Sequence, residues 1–78
     1  MSANILVVDD DKDIADLLEM YLTNENYTVY KFYDASHAFE KIDEITFDLA
    51  ILDVMMPKID GFTMCKMIRE KYNFPIIM

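Results

Sequence analysis

The residues of this 78-residue chain best suited to chemistry are aspartates in two places: the run Asp9-Asp10-Asp11 and the single Asp53. Each follows an apolar run, Asn4-Ile5-Leu6-Val7-Val8 in the first case and Leu49-Ala50-Ile51-Leu52 in the second. Runs this short and this apolar are predicted to be buried parallel strands. The carboxylates then stand at the strands' carboxyl ends, where open α/β sheets place their ligands. Carboxylates gathered in one crevice repel one another unless a cation is bound or protons are retained. Aspartate oxygens together with a backbone carbonyl, leaving positions for water and phosphate, suit Mg2+. Met55, in the loop after Asp53, could supply that carbonyl. Alone, three aspartates after a strand are better explained as a helix cap. A cap at one junction, however, predicts nothing about a carboxylate at the end of another strand, and the joint pattern favours a metal site.

The two sets meet only if the first and third strands are neighbours, so the elements between them matter. Ile14, Leu17, Leu18, Tyr21 and Leu22 recur at helical spacing and are predicted to form the inner face of a first helix, capped by Asp10 or Asp11 and closed by Asn24 and Asn26. Thr28 to Tyr33 is β-branched and aromatic but carries Lys31, which marks an edge strand. Asp34 can cap a second helix with Ala35, Ala38, Phe39 and Ile42 inward; Asp60 can cap a third with Gly61, Met64, Cys65, Ile68 and Tyr72 inward. Asn73-Phe74-Pro75 ends it, and Ile76-Ile77-Met78 opens a fourth strand. Alternating strands and helices predict a parallel sheet covered on both faces, in the α/β class. The flavodoxin-like strand order 2-1-3-4 makes strands one and three adjacent.

The chain carries 15 acidic and 7 basic residues for a net charge of −8, which argues against direct nucleic-acid binding. A hydrophobic content of 54% argues for a folded core. Cys65 is the only cysteine and is read as a buried, inert thiol. No run approaches membrane-spanning length, and Met1-Ser2-Ala3-Asn4 lacks the basic start of a signal peptide, so a cytoplasmic protein is expected. His37 is read as an exposed helix residue and Lys58 as a solvated loop residue; the methionines and phenylalanines are read as core.

Two motifs, Ile5-Leu6-Val7-Val8-Asp9-Asp10-Asp11 and Asp53-Val54-Met55-Met56-Pro57-Lys58-Ile59-Asp60-Gly61, resemble the receiver domains of two-component response regulators. The resemblance implies that Asp53 is a phosphoacceptor. It implies that Asp10, Asp53 and the Met55 carbonyl coordinate Mg2+, with Asp9 acting beside them, and that the donor is a partner histidine kinase or phosphotransfer protein. The Met56-Pro57 loop resembles receivers that precede a winged-helix DNA-binding domain in transcription factors. Pro57 restricts Met56 to extended backbone, and Gly61 allows either a close backbone approach or unusual dihedrals. In-line attack by a carboxylate oxygen on a phosphohistidine or acyl phosphate, with charge offset by Mg2+, fits this donor set.

Receivers continue for two further βα units, so residues 1–78 are expected to be an incomplete domain: three βα units and a fourth strand. The Thr or Ser after strand four and the Lys of strand five fall outside it, and phosphotransfer is expected to be slow or absent. An uncovered strand four is expected to favour self-association. Competing readings are an inactive interaction fragment, an aspartyl-phosphate phosphatase in which Asp9 and Asp11 have nucleophile-to-acid spacing, and a flavodoxin-type cofactor binder, which three aspartates disfavour.

Overall fold

A computed structural model describes residues 2–78. The elements are β1 (Asn4–Val8), α1 (Lys12–Asn24), β2 (Thr28–Phe32), α2 (Ala35–Lys41), β3 (Leu49–Leu52), α3 (Gly61–Arg69) and β4 (Ile76–Ile77). The strands form one parallel sheet, as the alternation of elements predicts, in the flavodoxin-like order β2-β1-β3-β4. β1 is central and all but its first residue is buried. Its register pairs Val8 with Phe32 on one side and with Leu52 on the other, so Asp9, Tyr33 and Asp53 leave the sheet at the same level.

The strand pleat divides the core in two. Leu6, Val8, Ala50 and Leu52 pack with Ala35, Ala38 and Ile42 around α2 and with Met64 and Ile68 of α3. Ile5 and Val7 point the other way, onto Ala15 of α1, with Leu18 and Leu22 beside them. Here the predicted inner face of α1 needs correction. Ile14 and Leu17 are each 48% exposed and Tyr21 is 63% exposed, while Ala15, absent from the predicted stripe, is fully buried. The helix rests on β1 and β2 through Ala15, Leu18 and Leu22, and a small residue at the closest point lets it sit low on the sheet. Hydrophobic spacing located the helix but placed its contact line one residue off.

Lys31 does more than mark an edge. Its ammonium donates to Asp16 at 2.8 Å and Glu19 at 3.0 Å, and the Tyr33 hydroxyl donates to the same Asp16 oxygen at 2.8 Å. These bonds tie α1 to β2 and fill the edge with charge. At the opposite end of the strands, Asn4 N–H donates to the Asp48 carboxylate at 2.8 Å and Asp48 N–H returns to the Asn4 carbonyl at 2.8 Å. That exchange sets the β1–β3 register and so the level at which Asp9 and Asp53 emerge. No helix among the described residues is long and apolar enough to cross a membrane.

Candidate metal centre

The β1–β3 ladder runs one residue past β3, because Asp53 N–H donates to the Val8 carbonyl at 2.9 Å. On the other side of β1, Asp9 N–H donates to the Phe32 carbonyl at 3.1 Å. Both aspartates are therefore held by backbone bonds at their own amides, and only their side chains remain to be placed. Asp9 is 8% exposed, and its Oδ1 accepts the Asp11 N–H at 2.9 Å. Asp53 Oδ1 accepts the Met55 N–H at 3.2 Å. Carboxylate oxygens of Asp9, Asp10 and Asp53 lie within 4.8 Å of one another, as the metal-site reading of the sequence requires.

Asp11 stands apart. Its Oδ1 accepts from Asp13 N–H at 3.0 Å and Ile14 N–H at 3.3 Å, which makes it the N-cap of α1. The Asp run thus divides its labour: two residues enter the cluster and the last caps the helix, a role the sequence left open between Asp10 and Asp11. Burial pushes the Asp9 carboxyl above the usual carboxylate range; the Asp11 N–H opposes this and the Asp53 charge adds to it. Asp10 is raised first by a hydrogen bond shared with Asp53 and then by loss of water. A crevice that raises carboxyls in this way favours a bound divalent cation, and an all-oxygen donor set with an exposed member fits Mg2+.

The loop from Asp53 to Gly61 explains its own sequence. Gly61 N–H donates to the Val54 carbonyl at 2.9 Å. A Cβ at Gly61 would run into the Asp53 carbonyl oxygen, and would stand 2.8 Å from the Asp53 carbonyl carbon and 2.9 Å from Val54 Cα. Its φ is not positive. Of the two reasons the sequence allowed for this glycine, close backbone approach is the one that applies. Met56 and Ile59 pack against the core on the α2 and α3 side, whereas the Met55 side chain is 80% exposed. Asp60 Oδ1 accepts the Thr63 N–H at 2.8 Å and caps α3 as predicted.

Lys58 is exposed, as read from the sequence, but its backbone was not foreseen. Its φ is +68°, and Ile59 N–H donates to the Pro57 carbonyl at 2.8 Å, closing a tight turn around a left-handed lysine. A residue with a Cβ is strained there. Lys58→Gly is expected to raise stability by about 0.5–1 kcal/mol, the relieved strain exceeding the added freedom of the unfolded chain. A higher denaturant midpoint at unchanged slope is the readout; a lower midpoint would show that the lysine is not strained.

His37 lies on α2 outside the carboxylate cluster. Its Nδ1 is 2.7 Å from Asp34 Oδ2, and Asp34 also accepts the His37 N–H at 2.8 Å to cap the helix. These bonds hold Asp34 down to about 2 and raise the imidazole above its ordinary value. Cys65, read from the sequence as buried, is only half-buried, at the margin of the core.

The chain matches the response regulator receiver domain family over residues 5–78. It is 58% identical over 78 residues to the regulatory protein VanR of Enterococcus faecium, covering all of this chain and 34% of that protein. It is 49% identical, with the same coverage, to the regulatory protein VanRc of Enterococcus gallinarum. The chain thus spans about a third (34%) of the curated relatives it matches. Its fold superposes on the response regulator TrrA from Thermotoga maritima, solved in complex with Mg2+-BeF, with a TM-score of 0.89 at 36% identity, covering 97% of this chain and 67% of that one.

Proposed function

This chain belongs to the response regulator receiver domain family, and on that premise we propose that Asp53 is its phosphoacceptor. The convergence of Asp9, Asp10 and Asp53 carries the proposal. Asp10, Asp53 and the Met55 carbonyl would hold Mg2+, with Asp9 beside them directly or through water. A cation bound there would offset charge on the nucleophile and on the phosphoryl oxygens. A carboxylate oxygen of Asp53 attacks phosphorus in line, an O–P bond forms, and the bond to the donor's nitrogen or acyl oxygen breaks. The product is an aspartyl phosphate, with the departing group carrying away the bonding pair. Met56, Pro57 and Gly61 shape the loop that fixes the nucleophile. The donor in this reading is a histidine kinase or phosphotransfer protein in the cytoplasm.

The chain acts as a phosphoacceptor rather than an enzyme in its own right. Within a longer protein, in which these three βα units and fourth strand form part of a complete receiver, it would regulate transcription through a DNA-binding domain of the winged-helix type. The phosphatase alternative needs Asp11 as a general acid, and a carboxylate already accepting two helix amides is poorly placed for that task.

The deciding experiment is an amide proton–nitrogen spectrum with and without Mg2+, followed by labelling with a radioactive acyl phosphate. Mg2+ is expected to move the signals of Asp9, Asp10 and Asp53–Met55. Label is expected in the native chain and absent from Asp53→Asn. Spectra indifferent to Mg2+, or label retained after that substitution, would overturn the reading.

Self-association belongs to the same proposal. The outer edge of β4 pairs with no strand among the described residues, and Ile77 is 54% exposed. A solution of this 78-residue chain is expected to show dimers that grow with concentration in light scattering; a monomer throughout would end that part of the reading.

A further inference from the structure

A groove of about 450 Å3 runs between the first turn of α1, the end of β2 and α2. It lies one strand from the acidic cluster, since Tyr33 follows the Phe32 carbonyl that Asp9 N–H engages. Lys12, Lys31 and Lys41, three of the chain's seven Lys and Arg, line it together with the only histidine, against the carboxylates of Asp34 and Glu40. In a chain of net charge −8 the lining itself sets three ammonium groups against two carboxylates, with further carboxylates on Lys31 and Lys41 from outside it.

The cations differ in what they have left to offer. Lys31 is engaged by Asp16 and Glu19, and His37 by Asp34. Lys41 meets Glu44 at 3.4 Å in an exposed pair of the kind that exchanges readily for another anion. Lys12 has no carboxylate within 4 Å among the described residues. Its ammonium stands 5.3 Å from the centroid of the Tyr33 ring, and that of Lys31 stands 5.5 Å from the same centroid. An aromatic face localises an ammonium without neutralising it, so Lys12 keeps its charge for a third group.

A phosphodonor is an anion approaching an acidic protein at a site made of carboxylates. Cations beside such a site raise the local concentration of the incoming anion. Resting on the phosphoacceptor reading above, we propose that this groove is an anion site that receives the phosphate of a small acyl phosphate donor beside the acidic cluster, with Lys12 as its principal contact and Lys41 as its second. The assigned role is capture beside the cluster, not chemistry. It predicts that phosphate binds here without Mg2+, which keeps the groove separable from the metal centre.

The test titrates the Mg2+-free protein with inorganic phosphate, and separately with acetyl phosphate, while following amide signals. Both anions are expected to give saturable shifts at Lys12, Tyr33 and Lys41. Lys12→Gln should weaken binding by about three- to fivefold, the size of one exposed charge contact, and Lys41→Gln by about twofold. Lys66→Gln, a charge change on α3 away from the groove, should leave it unaltered. Non-saturating shifts, shifts centred elsewhere, or equal losses in Lys12→Gln and Lys66→Gln would overturn the proposal. Phosphate shifts confined to the groove in a protein indifferent to Mg2+ would uphold the groove as an anion site and overturn both the phosphoacceptor reading and the donor role assigned to the groove. Mg2+ shifts at Asp9, Asp10 and Asp53 without phosphate shifts at Lys12 would do the reverse.

Discussion

Gly61→Ala is expected to destabilise the domain by about 2–3 kcal/mol and to disorder the loop that carries Asp53. The added methyl meets backbone rather than a side chain that could swing aside: the Asp53 carbonyl oxygen and carbon, and Val54 Cα at 2.9 Å. Relief requires α3 to move off the sheet or the Asp53–Val54 peptide to turn. The first exposes Met64 and Ile68, both essentially fully buried; the second re-aims the backbone between Asp53 and Val54, next to the carbonyl that accepts the Gly61 N–H at 2.9 Å. Either route also moves the Asp53 carboxylate away from Asp9 and Asp10. Denaturant unfolding should therefore show a large fall in midpoint, and Mg2+ should no longer shift the cluster's amide signals. Asp60→Ala next door is the useful comparison. It removes only the α3 cap, for a loss of about 1 kcal/mol, and should leave the Mg2+ response intact. If Gly61→Ala cost no more than Asp60→Ala, the close approach would not be what this position requires.

The contrast between these neighbours shows where sequence reasoning reaches and where it stops. The strands and the caps at Asp34 and Asp60 were legible because each arises from local pattern: short apolar runs, helical spacing, a capping side chain before a periodic stretch; the strand order was carried over from the flavodoxin-like fold. The convergence of Asp9, Asp10 and Asp53 was legible for a further reason, since two strand ends carrying carboxylates are informative together once strand adjacency is supposed. The contact line of α1 was not. Ile14, Leu17 and Tyr21 are apolar and correctly spaced, yet which part of an apolar stripe touches the sheet depends on how low the helix sits, and Ala15 decides that. Nor could spacing reveal that Lys58 is left-handed, because its strain is imposed by Pro57 and by the anchoring of Met56 and Ile59 on either side. The grouping of Lys12 with Lys31 and Lys41 is likewise a product of tertiary placement, as the three lie on α1, β2 and α2.

Asp9→Asn should separate the two things the acidic cluster does, because it changes charge with little change in shape. Asparagine keeps an Oδ1 that can accept the Asp11 N–H, now made at 2.9 Å, so the turn into α1 is preserved. The substitution removes a buried negative charge whose oxygens lie within 4.8 Å of those of Asp10 and Asp53. At such a separation two unit charges repel by about 1–3 kcal/mol for an effective dielectric between water and protein interior. Proton uptake and salt absorb part of that, so the variant should be more stable than the native chain by about 1–2 kcal/mol when Mg2+ is chelated. With Mg2+ the order should reverse. A cation at about one hundred times its Kd adds about 2.7 kcal/mol to the protein that binds it, and a variant with one carboxylate fewer, binding about a hundredfold more weakly, gains only about 0.4 kcal/mol, a shortfall larger than its advantage without the cation. Denaturant unfolding of both proteins, with chelator and with saturating Mg2+, reads the crossing directly. Parallel curves, with Asp9→Asn less stable in both conditions, would mean that Asp9 serves the fold through its bond to Asp11 and adds nothing to the hold on the metal. Crossed curves would mean that the native chain gives up stability at this position in order to bind a cation, which is the sign a functional carboxylate should leave on a fold.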